Sequence, residues 1–122
     1  MKQTLMCVAM ALSFASPAAE SEADARQEIE HLIGYLGSSG CQFNRNGTWY
    51  DASTAVGHLS RKYAVLSDKK LVPTAEAFIE KAASSSSASG KPYHVRCPGK
   101  AEIPSGEWFH AELERFRAAS HP

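Results

Sequence analysis

The chain lacks a net charge: thirteen lysines and arginines balance thirteen aspartates and glutamates over 122 residues. That balance argues against nucleic acid as a partner, because counterion release needs a basic face. It also lacks a long apolar run. The longest, Leu5 to Phe14, is about ten residues, against the roughly 20 that a membrane-spanning helix needs, so no integral span is expected. Recognisable catalytic motifs are missing as well. There is no G-x-S-x-G elbow and no H-E-x-x-H pair, and Gly90-Lys91 runs into Pro92 without the upstream glycine of a phosphate-binding loop. Ser67-Asp68-Lys69-Lys70 fits S-x-x-K in isolation, without the companion motifs of penicillin-recognising enzymes. No internal repeat and no domain linker interrupts the chain.

Cysteine is scarce, three in all, and its placement is informative. Cys7 falls inside the apolar run, which follows Lys2 and precedes the small residues Ser16-Pro17-Ala18-Ala19. That is the layout of a secretory signal peptide over residues 1–19, with residues 20–122 as one mature domain. Met6 stands where a lipidated cysteine would need a small residue before it. Loss of Lys2 leaves twelve basic against thirteen acidic residues. Cys41 and Cys97 then remain in a chain bound for an oxidising compartment, the periplasm, where an even count implies a bridge. Closing a loop of roughly 57 residues removes about 4 kcal/mol of unfolded-chain entropy. A zinc site would need further ligands at close spacing, and only His94 lies three residues from a cysteine, so neither a metal nor a cofactor is implied.

The elements follow from periodicity. Ser21 to Asp24 can cap a helix from about Ala23 to Leu36, with Ile29, Leu32, Ile33 and Leu36 as its apolar face. Glycines between Gly37 and Gly40 end it. Cys41 to Arg45 and Thr48 to Tyr50 flank Asn46-Gly47, a strong two-residue hairpin signal. Pairing Arg45 with Thr48 sets Phe43 against Tyr50 and Asn44 against Trp49. Cys41, Phe43 and Tyr50 then share one face, and Gln42, Asn44 and Trp49 the other.

Asp51 or Ser53 caps a second helix carrying Ala55, Val56, Leu59, Tyr63 and Leu66. Thr74 caps a third, with Ala75, Phe78, Ile79 and Ala82 buried. The serine run Ser84 to Ser89 reads as a loop, because serine competes with helix through its own backbone bonds. Pro92 to Cys97 alternates as a strand, Tyr93, Val95 and Cys97 inward and His94 and Arg96 outward. Ser105 caps a last helix with Trp108, Phe109, Leu113 and Phe116, and the tail after Arg117 is expected to fray. The expected fold is α+β: about four helices packed on a two- or three-stranded antiparallel sheet with one disulfide.

Six ordered blocks, H-L-I-G-Y-L, S-G-C-Q-F-N-R-N-G-T-W-Y, H-L-S-R-K-Y, T-A-E-A-F-I-E-K-A-A-S-S-S-S-A-S-G-K-P-Y, V-R-C-P-G and E-W-F, span about Ile29 to Phe116. In that order they resemble the YfeK-like family of small exported bacterial proteins, a domain of unknown function. The resemblance implies a bacterial, periplasmic protein and carries no catalytic residues. Asn44 departs from the apolar residue expected before Arg-Asn-Gly, which weakens burial of both hairpin faces.

Candidate ligand-binding residues are Asn44, Arg45, Trp49, Ser86, Lys91 and His94. Trp49 and Arg45 can form a stacking surface for a glycan or peptide, or Trp49 can simply cover the hairpin. Ser86 and Lys91 can hold an anion or sugar, or the serines can satisfy a helix end. The basic residues Arg61, Lys62, Lys69 and Lys70 fit a solvated helix end better than an anionic membrane surface. Catalysis would need a distant constellation such as Ser86, His58 and Glu76, a small hydrolase. The reading favoured by the residues is a monomeric, non-catalytic binding or accessory module of the cell envelope, its partner an envelope protein or a glycan.

Overall fold

A computed structural model describes residues 21–120, so the signal peptide expected over residues 1–19 lies outside the described residues. The order of elements is α1 (Glu22–Ser38), β1 (Gln42–Arg45), β2 (Thr48–Tyr50), α2 (Ala52–Asp68), α3 (Ala75–Phe78), a π-turn (Ile79–Ala83), β3 (His94–Arg96), β4 (Ile103–Pro104) and α4 (Ser105–Ser120). Caps define the starts of the first three helices. Ser21 accepts from the amide of Asp24, Asp51 from that of Thr54 and Thr74 from that of Ala77. Each satisfies one of the amide donors that a helix leaves open at its start.

α1 runs two residues past the expected Leu36, and the chain then reverses through Gly40 at φ 69°. A left-handed backbone there favours glycine, which has no Cβ to clash. At the hairpin, Asn46 and Gly47 adopt φ 54° and 85°, the two positive values that a tight twisted turn demands. The pairs Phe43 with Tyr50, Asn44 with Trp49 and Arg45 with Thr48 form in the expected register.

Four strands make the sheet, in the order β2-β1-β3-β4, all antiparallel. The fourth strand goes beyond the expected two or three. It is two residues long and contains a proline, so it carries no alternation to recognise. The disulfide joins Cys41 and Cys97, 56 residues apart, with their Cα atoms 4.2 Å from each other. It ties the leading end of β1 to the trailing end of β3, neighbours in the sheet.

The helices cover one face of the sheet. Phe43, Tyr93 and Val95 meet Ile29, Leu32 and Leu36 of α1, Leu59 of α2, Phe78 and Ile79 near α3, and Phe109 and Leu113 of α4 in one apolar cluster. Ser105 departs from its expected role as a cap outside the helix. It is the first residue of α4, fully buried, and its hydroxyl donates to the carbonyl of Ala83 at 2.7 Å. α4 also continues to Ser120, past the point where fraying was expected at Arg117, because Arg117 is held by two glutamates. A Cβ at Gly106 would lie 2.7 Å from the Ser84 hydroxyl. Glycine there lets the start of α4 press against the end of the π-turn.

Candidate functional site

The outer face of the sheet holds three of the six residues singled out from the sequence. Trp49, Asn44 and His94 stand in one row across β2, β1 and β3. All three are half-buried. Each has a local partner: the Asn44 side chain accepts from the amide of Gly47, and His94 Nδ1 lies 3.7 Å from a Glu102 carboxylate oxygen. Trp49 is covered by the guanidinium of Arg96, 4.1 Å from the ring centroid, and Arg96 is itself held by Gln42 at 2.7 Å. The residue that stacks on Trp49 is therefore Arg96, whereas Arg45 points to the opposite face, alongside Phe43. That follows from the period of two, since Arg45 stands two residues from Phe43 and four from Cys41.

The serine segment folds back on itself. The amide of Tyr93 donates to Ser84, that of Ser86 to Lys91 and that of Gly90 to Ser86. Ser86 is buried, and its hydroxyl accepts from the amide of Ser89. Ser84 donates to the carbonyl of Ile79 at 2.6 Å, which satisfies the end of the π-turn. Ser89 reaches across to Asn46 at 2.8 Å, so the loop tip touches the hairpin turn. Lys91 is exposed. Ser86, His58 and Glu76 do not meet, since their partners are Ser89, Tyr93 and Arg117 respectively.

Behind the hairpin, one residue from the sequence shortlist joins three that were not on it. The hydroxyl of Tyr93 lies 3.3 Å from His58 Nε2 and 3.3 Å from Lys62 Nζ, and the guanidinium of Arg45 faces the same phenol. Lys62 also donates to the carbonyl of Ser85 at 3.2 Å. Arg61 stands one residue away on α2, and Arg45 Nε is buried with no hydrogen-bond partner. Among the described residues, none of the ion pairs includes Arg45, Arg61 or Lys62. Two elements, β1 and α2, thus deliver positive charge to one partly buried point without a carboxylate to balance it.

The electrostatics follow. Burial, then the charges of Arg45, Lys62 and Arg61, push the His58 imidazole down to about 4. Burial and Arg45 also lower Lys62. Burial raises Tyr93, against the opposing pull of Arg45. A neutral imidazole can accept the Tyr93 proton while Lys62 donates to the same oxygen, which gives each contact a consistent direction. An anion placed here would offset the part of the His58 and Lys62 shifts that comes from neighbouring positive charge.

Two depressions flank the cluster and share His58 and Arg61. One is a niche of about 50 Å³ between Phe43, Tyr50 and Ala55. The other is a groove of about 440 Å³ along α2, lined by Lys62, Val65, Leu66, Lys69 and Ser87. His58, Lys62, Val65 and Lys69 follow helical spacing, a signal present in the sequence. The convergence of that stripe on Tyr93 was not, because Tyr93 reads as a core residue and sits 31 residues from Lys62.

On the far side of the molecule the charges are matched. Arg117 binds Glu28 at 2.7 Å and Glu76 at 2.7 Å, while His31 and Arg115 share Glu112 at 2.7 and 2.8 Å.

A family model described as a family of unknown function (DUF5329) matches residues 23–117, nearly the whole described chain. The chain belongs to that family. The DUF5329 match takes in β1, α2 and β3 and so contains the whole basic cluster. A relative, the uncharacterized protein YfeK of Salmonella typhimurium, is 36% identical over 91 residues, covering 73% of this chain and 74% of the relative. The YfeK-like resemblance read from the six blocks agrees with both findings. No solved structure matches. Among the described residues, no helix is long and apolar enough to cross a membrane.

Proposed function

We propose that this DUF5329 domain is a non-catalytic binding module of the bacterial cell envelope, and that its site is the basic cluster of Arg45, His58, Arg61 and Lys62 around Tyr93, which takes an anionic ligand. The observation that carries the reading is the absence of any carboxylate partner for these cations among the described residues, together with the buried, unpaired Nε of Arg45. Half-buried cations such as Arg45 and Lys62 cost stability without a counter-charge, so a surface that keeps them together with Arg61 is suited to an anion that arrives later. Export to the periplasm is part of the proposal. The Cys41–Cys97 bridge is compatible with an oxidising compartment, and residues 1–19 have the layout of a signal peptide.

Two other placements are less well supported. A glycan stacking on Trp49 competes with Arg96, which already lies over that ring. A serine hydrolase needs a loop serine bonded to a histidine, and among the described residues the partner of His58 is Tyr93.

Titration of the disulfide-bonded protein with inorganic phosphate, followed by NMR shifts of His58 and of the amides around it, tests the proposal. Saturable shifts are expected there, with affinity at least about tenfold weaker in Arg45→Gln and Lys62→Gln, the loss of one charge-assisted hydrogen bond. Equal shifts in the wild type and in both variants would overturn it.

A further inference from the structure

The groove beside the cluster has a different character from the cluster itself. It opens between α2 and the serine loop, about 440 Å³ in volume, with Val65 and Leu66 on its floor and Lys69 at its far end. Val65 is 54% exposed, one of only two large hydrophobic side chains left exposed among the described residues. A valine so placed, between cations that α2 presents one turn before and one turn after, contributes nothing to the core. The basic cluster closes the near end of the groove, since His58, Arg61 and Lys62 line both features.

We infer that the ligand is an amphipathic anion, an oxyanion head with a single apolar tail, the head held by His58, Arg61 and Lys62 and the tail laid along Val65 and Leu66. The inference rests on the anion-binding reading above and adds the second half of the ligand. Charge complementarity fixes the head, because a cationic or neutral head would leave the charges of Arg61 and Lys62 uncompensated. Geometry limits the tail. From Lys62 to Lys69 the helix rises roughly 10 Å, which accommodates a chain on the order of eight carbons. The Lys69 stem can cover the tail while its ammonium stays in water. The occupant proposed is a monomeric amphiphile and not a bilayer, because a groove receives one chain whereas a membrane contact needs a projecting apolar surface.

The test compares inorganic phosphate, octyl phosphate below its micelle concentration and vesicles of anionic phospholipid, on the disulfide-bonded protein, by NMR shifts and calorimetry. Octyl phosphate is expected to bind on the order of 30-fold more tightly than inorganic phosphate, the gain from burying two or three methylene groups in a groove open on one side. Val65→Ser, which removes the apolar contact without adding a charge, should abolish most of that gain and leave inorganic phosphate binding within about twofold, since the side chain is exposed and outside the hydrogen-bonded cluster. Val65→Asp should weaken both phosphates, because it puts a carboxylate one turn from Lys62. Phosphate binding with no added affinity from the tail overturns the inference and leaves the anion-binding reading standing. Failure of both phosphates to shift His58 overturns that reading itself. Association with the vesicles but not with monomeric octyl phosphate overturns the inference in favour of a membrane surface.

Discussion

The two charged regions of this domain are built on opposite rules. On the side formed by α1, α3 and α4, Arg117 lies between Glu28 and Glu76, and Glu112 between His31 and Arg115. These charges meet their opposites, in the main across elements far apart in sequence. On the side formed by β1, α2 and β3, Arg45, His58, Arg61 and Lys62 meet one another and a phenol. The first arrangement fastens helices together. The second holds like charges close and is costly on its own, which is the basis for proposing a ligand as the missing partner.

The contrast can be broken most forcefully on the matched side. Arg117→Met leaves Glu28, whose side chain is only 11% exposed, with a buried charge and no guanidinium. A loss of about 3 kcal/mol is expected in urea unfolding at neutral pH. An unchanged midpoint would remove the claim that this side is the fastening.

The next effect is a pH dependence on the unmatched side. The folded-state value of His58, about 4, lies below the ordinary 6.5 because of burial and the charges of Arg45, Lys62 and Arg61. Between those values the unfolded chain binds a proton that the native state refuses. The contribution is therefore fully present above pH 6.5 and is lost as the pH falls through about 4. His58→Gln should flatten the decline, so that the gap between variant and wild type changes by on the order of 1 kcal/mol from pH 7 to pH 4, a figure reduced for solvent screening of a half-exposed ring. Parallel stability curves for the two proteins would count against the cluster electrostatics. A bound anion favours the protonated imidazole, so affinity for sulfate, which keeps its charge over this range, should rise as the pH falls toward 4.

The smallest effect is the most telling in sign. Lys62→Met gives up two long hydrogen bonds, to Ser85 and Tyr93, and relieves repulsion with Arg45 and His58. Thermal unfolding should place it within about 0.5 kcal/mol of the wild type while phosphate binding weakens by at least about tenfold. A destabilisation as large as that of Arg117→Met would erase the distinction between the two regions.

The fold was largely legible because its signals are local. Asn46-Gly47 dictates the turn, the turn dictates the register, and the register puts Phe43 inward and Trp49 outward. Ser21, Asp51 and Thr74 mark helix starts within three residues of the amides they cap. What stayed hidden was set by distant contacts. β4 is two residues long and exists because β3 offers it a partner. Ser105 has the chemistry of a cap and is spent on Ala83 because the end of the π-turn is pressed against it. The candidate site was legible only at Arg45, among the residues singled out in advance. His58 and Lys62 look like an ordinary polar stripe until Tyr93, on another element, draws both to one oxygen. Asn44 and Ser86 are absorbed by the turns in which they sit.

The π-turn at Ile79–Ala83 has a consequence for sequence length. A π-turn is in effect an α-helix carrying one surplus residue, and it shifts the phase of everything that follows by roughly 100°. Ser84 keeps that surplus in place through its bond to Ile79, five positions back, and the next residue is Ser85, whose carbonyl receives Lys62. The aim of the lysine therefore depends on counting as much as on chemistry. In a family member one residue shorter at this point, every side chain of the cluster could be retained and Lys62 would still face the wrong carbonyl.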